Sequence, residues 1–409
     1  MSLPPPRASL YVHFPWCLAK CPYCDFVSYA TPREDIDHVG YADAVIRELD
    51  ARATFVRGSR PLVLGSVFFG GGTPSLWEAA ELGRVLAAAK ERFAVEADLE
   101  VTVECNPTSL DRGRAEALHA VGVDRLSIGT QSLRQDQLKF LGRLHDASGA
   151  RAAIDGALAS GIPRVSTDMI FGLPGQTPED ARDQATTLAD LGLSHLSCYQ
   201  LTIEPGTQFG ELAKRGRLPL ADDGLVAESF LAIDEALSGR GLAHYEISNY
   251  ARPGEEARHN LGYWRGEEYV GVGCGAFGML REAADGAGGP VGAARGVRYR
   301  NAIDPRKYVE ATRDVKSDRV GEGDGLSISS EPLDGEALLR ERIMLGLRLA
   351  TGIDLGAHGR ALGVEGWTPE RTREASRLAS RGRVVREGDR LRIPRGGWLW
   401  TDDTAARLF

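Results

Sequence analysis

Short apolar runs alternate with longer segments of helical periodicity over residues 9–204. The runs that predict strands are 10–14, 66–69, 99–104, 125–129, 164–170 and 195–202. Apolar residues at helical spacing predict intervening helices at 41–55, 76–93, 147–159 and 178–191. Regular strand–helix alternation is typical of an α/β fold with a parallel sheet and right-handed crossovers. Six units predict a partial (β/α)6 barrel of the TIM type, whose working residues gather at the carboxyl ends of the strands.

The pattern changes after residue 206. A helix over 222–237 and a short strand over 243–247 precede the glycine- and aromatic-rich stretch 249–278, which predicts irregular structure. Residues 283–296 are rich in Gly and Ala and predict a loop between hairpin arms, and 315–335 reads as a polar linker. We therefore expect an irregular extension between the barrel and the end of the chain.

A separate module is predicted from residue 337 onward. Helical patterns over 337–349 and 369–381 precede two short runs, 383–386 and 390–393, which flank a turn centred on Gly388 as a hairpin. Helices followed by a hairpin predict an α+β, winged-helix-like C-terminal domain. The predicted domains are therefore the barrel, the extension and the winged-helix-like domain, at 1–240, 241–330 and 331–409.

Composition indicates a soluble globular protein. Hydrophobic residues make up 43% and charged residues 26% of the 409 residues, and the formal net charge is −8. An acidic chain argues against nucleic acid as a partner, because phosphate binding needs a basic surface. No apolar run reaches the roughly 20 residues of a membrane span, so no transmembrane segment is expected, although peripheral membrane contact stays open. Residues 1–6 show no targeting pattern, and the unpaired cysteines fit a reducing setting, so we expect a cytoplasmic location.

Three closely spaced cysteines follow the first predicted strand. Cys17, Cys21 and Cys24 have the spacing C-x3-C-x2-C. Thiolates are soft ligands that suit iron–sulfur clusters. Three of them could hold three corners of a [4Fe–4S] cluster and leave the fourth iron open to a group that is not protein. The motif therefore predicts a metal site with one vacant position.

A zinc site is the main alternative for these cysteines. Structural zinc usually takes a second Cys or His pair, but Cys105, Cys198 and Cys274 lie far apart along the chain. His13 lies close enough to be a fourth ligand, but it belongs to the strand pattern and is better explained as a barrel-interior side chain. A disulfide framework does not fit, because the chain is long and shows no secretory signal.

Polar residues and glycines recur where the predicted strands end. The second strand runs into Gly70-Gly-Gly-Thr73-Pro74, where glycine permits positive φ and close approach of the backbone to a ligand. Glu104, Gln131 and Asp168 stand at the ends of the next three strands. Because such ends meet at the mouth of a barrel, this series predicts a polar small-molecule site above the cysteines.

Taken together, these motifs resemble those of the radical S-adenosylmethionine (SAM) superfamily, and most closely the branch of oxygen-independent coproporphyrinogen oxidases and related haem chaperones. The resemblance implies that Cys17, Cys21 and Cys24 hold the cluster and that the open iron binds the amino and carboxylate groups of SAM. It also implies that a reduced cluster splits SAM into a 5′-deoxyadenosyl radical. The residues expected to form the SAM pocket are Tyr11, Tyr23, Gly71, Gly72, Thr73, Glu104, Gln131, Arg143 and Asp168.

Two features distinguish the members of that branch. Coproporphyrinogen oxidases carry a fourth cysteine two residues after the third, where this chain has Phe26. The run from His259 to Trp264 resembles the H-N-x-x-Y-W motif of the haem chaperones, and it suggests His259 as a haem-binding residue. The resemblance therefore predicts a chaperone that binds haem and delivers it to acceptor proteins. The alternatives are radical decarboxylation of coproporphyrinogen III and another radical-SAM reaction, so whether the chain is an enzyme stays open.

Overall fold

Six parallel strands form the centre of a twelve-stranded sheet in the computed structural model, which describes residues 5–281 and 295–409. They are β1 (Arg7–Phe14), β2 (Val63–Gly71), β3 (Ala94–Cys105), β4 (Arg125–Gln131), β5 (Arg164–Phe171) and β6 (His195–Gln200). Each strand pairs in parallel with the next along the chain. The prediction of a partial (β/α)6 barrel is confirmed.

Helices connect these strands and cover the outer face of the sheet. They are His38–Ser59, Ala79–Arg92, Arg112–Ala120, Gln135–Phe140, Ala147–Leu158 and Pro178–Ala189, followed after β6 by Gln208–Lys214 and Asp223–Ser238. One-turn 3-10 helices lie at Arg33–Asp35, Pro74–Leu76 and Pro107–Ser109. The helix Arg112–Ala120 has no counterpart in the sequence prediction, because it buries only Ala115 and Leu118 and its apolar periodicity is weak.

The chain after residue 240 adds six further strands to the same sheet, of which only the first, at 243–247, was predicted with its bounds. They are β7 (Ala243–Glu246), β8 (Asn249–Ala251), β9 (Glu268–Gly273), β10 (Phe277–Arg281), β11 (Gly296–Asn301) and β12 (Ser327–Leu333). β9 lies parallel to β1, and β8 lies antiparallel to β6. These strands are short, and several are polar or contain glycine, so they carry little apolar periodicity, which explains the difference. The arms of the predicted hairpin, β10 and β11, are antiparallel, and most of the loop at 283–296 lies outside the described residues.

A buried ion-pair network fastens the first helix to this second group of strands. Arg52 and Glu48, on the helix His38–Ser59, and Asp324 are all fully buried at their side chains. The Arg52 guanidinium donates to Glu48 Oε1 at 3.1 Å, to Asp324 Oδ2 at 2.7 Å and to Asn301 Oδ1 at 3.1 Å. The guanidinium also lies over the ring of Tyr299, 4.4 Å from its centroid. The network therefore links segments that are far apart along the chain.

The part of the chain after β12 packs around its own apolar core. Its helices are Gly335–Gly346, Leu355–Leu362, Pro369–Ala379 and Thr401–Ala406. Two helices before β12, Arg258–Trp264 and Pro305–Ala311, pack on the barrel instead. Strands Ile353–Asp354, Val385–Glu387 and Arg390–Arg392 form a small antiparallel sheet, next to the 3-10 helix Arg395–Trp400. The C-terminal part therefore has helices and a hairpin, as expected of an α+β module. The domain boundaries at residues 240 and 330 stay a prediction, and none of the described helices is long and apolar enough to cross a membrane.

Candidate functional site

A cavity of about 390 Å³ lies at the carboxyl ends of the barrel strands. It brings together all but two of the residues expected to form the metal and cofactor site. Those on its wall are Cys17, Cys21, Tyr23, Cys24, Gly71, Gly72, Thr73, Glu104, Gln131, Arg143 and Asp168. The parallel sheet explains this convergence, because successive strands end at the same edge.

The cysteines lie on a loop that a small ribbon anchors to the barrel. Strands Trp16–Cys17 and Tyr29–Ala30 pair in parallel at the two ends of this loop. The Cys17 thiol donates to the carbonyl of Tyr29 at 3.8 Å, and the Cys21 Sγ accepts from Arg143 Nη1 at 3.5 Å. All six cysteines of the chain are free thiols. The ribbon therefore holds the loop over the cavity with its three thiols available to a metal group.

The donor set of this wall fits an iron–sulfur cluster. Among the described residues, no three His, Cys, Asp or Glu side chains converge as the ligands of a single metal ion do. A cluster has different needs, because its thiolates bind different iron atoms. The guanidinium of Arg143 lies beside Cys21 and adds a positive charge to this wall, which complements the negative charge of a thiolate-bound cluster. The three cysteines are the residues that would hold the cluster.

The glycine turn at the end of β2 has no room for a side chain at positions 71 and 72. Gly71 has a φ of +111°, and a Cβ at this position would lie 2.5 Å from the His13 ring. A Cβ on Gly72 would lie 2.5 Å from the carbonyl oxygen of Trp16. The Gly71 amide donates to Glu104 Oε2 at 3.0 Å, and the Gly72 and Thr73 amides donate to the carbonyls of Phe14 and Trp16. Glycine is therefore needed to bring this backbone against the cysteine loop.

Two carboxyl groups face the cavity from β3 and β5. Burial raises the pKa of Glu104 to about 7, with a further contribution from the nearby charge of Asp168. Burial also raises the pKa of Asp168, although hydrogen bonds from Ser197 and Ser127 oppose the shift. The hydroxyl of Ser127 donates to Asp168 Oδ1 at 3.1 Å. Carboxylates in this position suit an ammonium group or sugar hydroxyls, which would satisfy their negative charge.

Gln131 and Arg143 complete the wall. Gln131 has a φ of +67°, and among the described residues no other residue except glycine has a positive φ. A bulky residue persists in such a conformation only where its surroundings enforce it, and such positions cluster at functional sites. Arg143 Nη2 donates to the carbonyl of Gly129 at 2.9 Å, while its buried Nε has no partner among the described residues. The free Nε leaves this guanidinium able to donate to a ligand carboxylate.

We expect Glu104→Gln to stabilise the cofactor-free protein at pH 8. A carboxyl whose folded-state pKa is raised favours folding while it is protonated, and this contribution is lost as the pH rises from its ordinary 4.5 through about 7. A neutral glutamine keeps an oxygen to accept from the Gly71 amide. Denaturant melts should therefore show a gain of about 3 kcal/mol or less at pH 8 and almost none at pH 4. An equal gain at both pH values would contradict the raised pKa.

Several residues of the cavity wall were not identified from the sequence. They include Lys20, Asn106, Ser127, Tyr199, Gln200 and Glu204. Tyr199 and Gln200 end β6, so the rule that strand ends line the mouth could have found them. Lys20 lies within the cysteine motif and donates to the carbonyls of Phe26 and Ser28 at 3.1 and 3.3 Å. Phe26 lines the same cavity and is 60% exposed.

Tyr11 and His259 do not lie on the cavity wall. A Cβ on Gly70 would lie 2.9 Å from the Tyr11 ring, so Tyr11 packs beneath the glycine turn, and its hydroxyl bonds His13 Nδ1 at 3.0 Å. His259 is 2% exposed, because the helix Arg258–Trp264 packs against β1 and β2. Its Nδ1 lies 3.0 Å from the hydroxyl of Ser66, and its backbone amide donates to Glu100.

The environment of His259 is enclosed, and haem binding by this residue stays a prediction. Its ring stacks on Phe68 with centroids 4.6 Å apart, and burial lowers its pKa to about 3. The ring of Tyr263 lies against the imidazole as well, with centroids 5.0 Å apart. The buried Nε2 of His259 has no hydrogen-bond partner among the described residues. The motif therefore packs the helix Arg258–Trp264 against the barrel and leaves one imidazole nitrogen unused.

Comparison with known proteins identifies the family. Residues 11–187 match the radical SAM superfamily, and residues 333–400 match the HemN C-terminal domain. The haem chaperone HemW of Escherichia coli is 37% identical over 318 residues, covering 76% of this chain and 79% of that protein. The haem chaperone HemW of Mycobacterium tuberculosis is 34% identical over 402 residues, covering 98% of this chain and 94% of that protein.

A solved structure shows the same fold. Coproporphyrinogen III oxidase (HemN) from Escherichia coli, a radical SAM enzyme, superposes with a TM-score of 0.77, covering 99% of this chain and 91% of that chain. Its sequence is 20% identical, so this similarity concerns the fold alone. The two HemW proteins match at higher identity and over most of their length. The chain therefore belongs to the HemW family of radical SAM proteins.

Proposed function

We propose that this chain is a haem chaperone that carries a [4Fe–4S] cluster and SAM and passes haem to acceptor proteins. The observation that carries the proposal is the convergence of three free thiols, a glycine turn and a set of polar side chains in one cavity. The relatives it matches over most of their length are named haem chaperones. An oxygen-sensitive cluster also needs a reducing compartment, which is consistent with a cytoplasmic location.

The roles of the cavity residues follow from their chemistry. When bound, the cluster supplies an open iron for the amino and carboxylate groups of SAM and an electron for its sulfonium. Cys17, Cys21 and Cys24 hold the cluster. The amides of the glycine turn already have partners, so its carbonyl oxygens are the groups that would accept from the SAM amino group. Arg143 offers its Nε to the SAM carboxylate.

The remaining polar residues place the nucleoside part of SAM. Glu104 and Asp168 face the cavity from neighbouring parts of its wall and accept from an ammonium or from ribose hydroxyls. Gln131, held at a positive φ, presents an amide beside them. Tyr23 packs near Phe209 with ring centroids 6.3 Å apart and closes the cavity on the side of the cysteine loop. SAM would thus be bound mainly by groups whose positions the strand ends fix.

One residue favours a chaperone over a coproporphyrinogen oxidase. Phe26 occupies the position where the oxidases of this branch have a fourth cysteine, and it is 60% exposed on the rim of the cavity. An exposed phenyl ring supplies an apolar contact and no ligand for metal or proton for chemistry. The chain therefore lacks the thiol that the oxidases have at this position beside the cluster.

The test reconstitutes the cluster anaerobically and offers the protein two substrates in separate reactions. With haem, we expect stable uptake followed by transfer to an apo-haemoprotein, measured by the acceptor's own absorbance. With coproporphyrinogen III, SAM and a reductant, we expect no vinyl-containing product by chromatography. Formation of protoporphyrinogen in the second reaction, or no haem uptake in the first, would contradict the chaperone assignment.

A further inference from the structure

A lysine inside the cysteine motif closes the loop that carries the three thiols. Lys20 precedes Cys21, and its ammonium donates to the carbonyls of Phe26 and Ser28 at 3.1 and 3.3 Å. Both acceptors follow Cys24 along the chain, so one side chain ties the beginning of the loop to its end. Hydrogen bonds from a charged donor are about twice as strong as those between neutral groups. The closure therefore fixes how far apart the two arms of the loop lie.

Ser28 extends this closure to the third cysteine. Its hydroxyl donates to the carbonyl of Phe26 at 3.3 Å and lies 3.8 Å from Cys24 Sγ. The carbonyl of Phe26 thus accepts from both Lys20 and Ser28. The backbone directly after Cys24 is therefore held by two side chains of the same loop.

The other anchors of the loop hold different points of it. His13 Nε2 lies 2.7 Å from the carbonyl oxygen of Val27, and the amide of Phe209 donates to the carbonyl of Pro22 at 2.9 Å. These two anchors come from outside the loop, whereas Lys20 bonds only to the loop itself among the described residues. Replacement of Lys20 therefore opens the closure and leaves the outer anchors in place.

Lys20 also places a positive charge on the wall of the cavity. Among the described residues that line it, the cations are Lys20 and Arg143, and the acids are Asp25, Glu104, Asp168 and Glu204. A cluster held by three thiolates is negative overall, and its reduction adds one more electron. A nearby cation stabilises the reduced form more than the oxidised form, because the attraction grows with the negative charge. Net charge around a cluster is one of the features that set its reduction potential.

We propose that Lys20 is a positioning residue that closes the cysteine loop around the cluster and raises the cluster's reduction potential. The inference rests on the proposed function, because it requires a cluster on Cys17, Cys21 and Cys24. Lys20 acts through the backbone carbonyls after Cys24 and through its charge, and it is not a ligand of the iron. A cluster with a higher potential accepts its electron from a milder reductant.

Redox titration of the full-length, anaerobically reconstituted protein, followed by electron paramagnetic resonance, tests the role of the charge. We compare wild type with Lys20→Gln, which keeps an N–H donor and loses the charge, and with Lys20→Arg, which keeps both. The control is Lys214→Gln, which removes an exposed lysine at the end of the helix Gln208–Lys214. We expect Lys20→Gln to shift the midpoint potential to a more negative value, and Lys20→Arg and the control to titrate as wild type does. An unchanged midpoint in Lys20→Gln would overturn the proposed role of the charge.

Release of iron to an excess of chelator tests the closure. Lys20→Met removes both bonds, so we expect it to lose iron about tenfold faster than wild type, and Lys20→Arg to lose it at nearly the wild-type rate. A Lys20→Met protein that assembles no cluster but melts as the wild-type apoprotein does also supports the closing role, whereas a wild-type rate of release contradicts it. If wild type forms no cluster, the proposed function itself fails. A stable wild-type cluster that none of the Lys20 variants affects overturns this inference alone.

Discussion

Serine in place of Cys17, Cys21 or Cys24 is expected to abolish the brown absorbance of the anaerobically reconstituted protein. Each thiol occupies the wall of the same cavity, and a hydroxyl is a poor ligand for cluster iron. Loss of one corner leaves two ligands, which cannot retain the cluster. Iron and sulfide analyses should therefore fall to the background of an unreconstituted sample in all three variants.

Cys105→Ser is the matched control for these variants. Cys105 lines the same cavity, but its thiol donates to the carbonyl of Val103 at 3.6 Å and belongs to β3. The control should keep its full iron content. A cluster that survives in all three motif variants, or that disappears in Cys105→Ser, would contradict the ligand assignment.

Arg52→Ala is expected to have the largest effect on stability. The guanidinium is fully buried between Glu48 and Asp324, and its removal leaves two carboxylates without their cation in the protein interior. Breaking a buried ion pair by removing one partner costs about 3–5 kcal/mol. Because the network joins the first helix to β11 through Asn301, chemical denaturation should show this loss as a lower midpoint for the barrel.

Arg84→Ala is the control for this loss. Arg84 also bonds two carboxylates, those of Asp43 and Glu81, but its side chain is 45% exposed. Exposed ion pairs contribute about 0–1 kcal/mol, so this variant should unfold almost as wild type does. Similar losses in the two variants would mean that burial does not set the strength of the network.

The barrel was predictable from the sequence because its strands are buried on both faces. Continuous apolar runs such as β2, in which Leu64, Val67 and Phe69 are fully buried, stand out from the amphipathic helices that follow them. Thr177 and Asp146 also cap helices as their residue types suggest, each accepting from an amide three residues later. Local signals and the overall fold agree in this half of the chain.

The second half shows what such signals miss. β9 has the sequence Glu-Tyr-Val-Gly-Val-Gly, whose two glycines do not favour a strand. It is a strand because it pairs in parallel with β1. The ion pair of Arg52 with Asp324 joins positions 272 residues apart, and no spacing rule connects them. Pairings of this kind depend on the tertiary fold, so the sequence could predict only an irregular extension.

The sequence predicted those parts of the candidate site where a motif constrains the backbone conformation. Glycines at 71 and 72 are required by contacts with His13 and Trp16, and the cysteine spacing places three thiols on one loop. A motif of side-chain types does not fix where a side chain lies, and the sequence did not show that His259 is enclosed among aromatic rings in the interior.

The central claim is that three thiolates hold a cluster with an open iron that SAM occupies. Electron paramagnetic resonance of the dithionite-reduced, reconstituted protein tests it most directly, with spectra recorded before and after addition of SAM. We predict a signal of a reduced [4Fe–4S] cluster that changes shape on addition of SAM, and that stays unchanged when adenosine, which lacks the amino and carboxylate groups that would bind the open iron, replaces SAM at the same concentration. A protein that binds zinc and no cluster, or a cluster signal indifferent to SAM, would contradict the account.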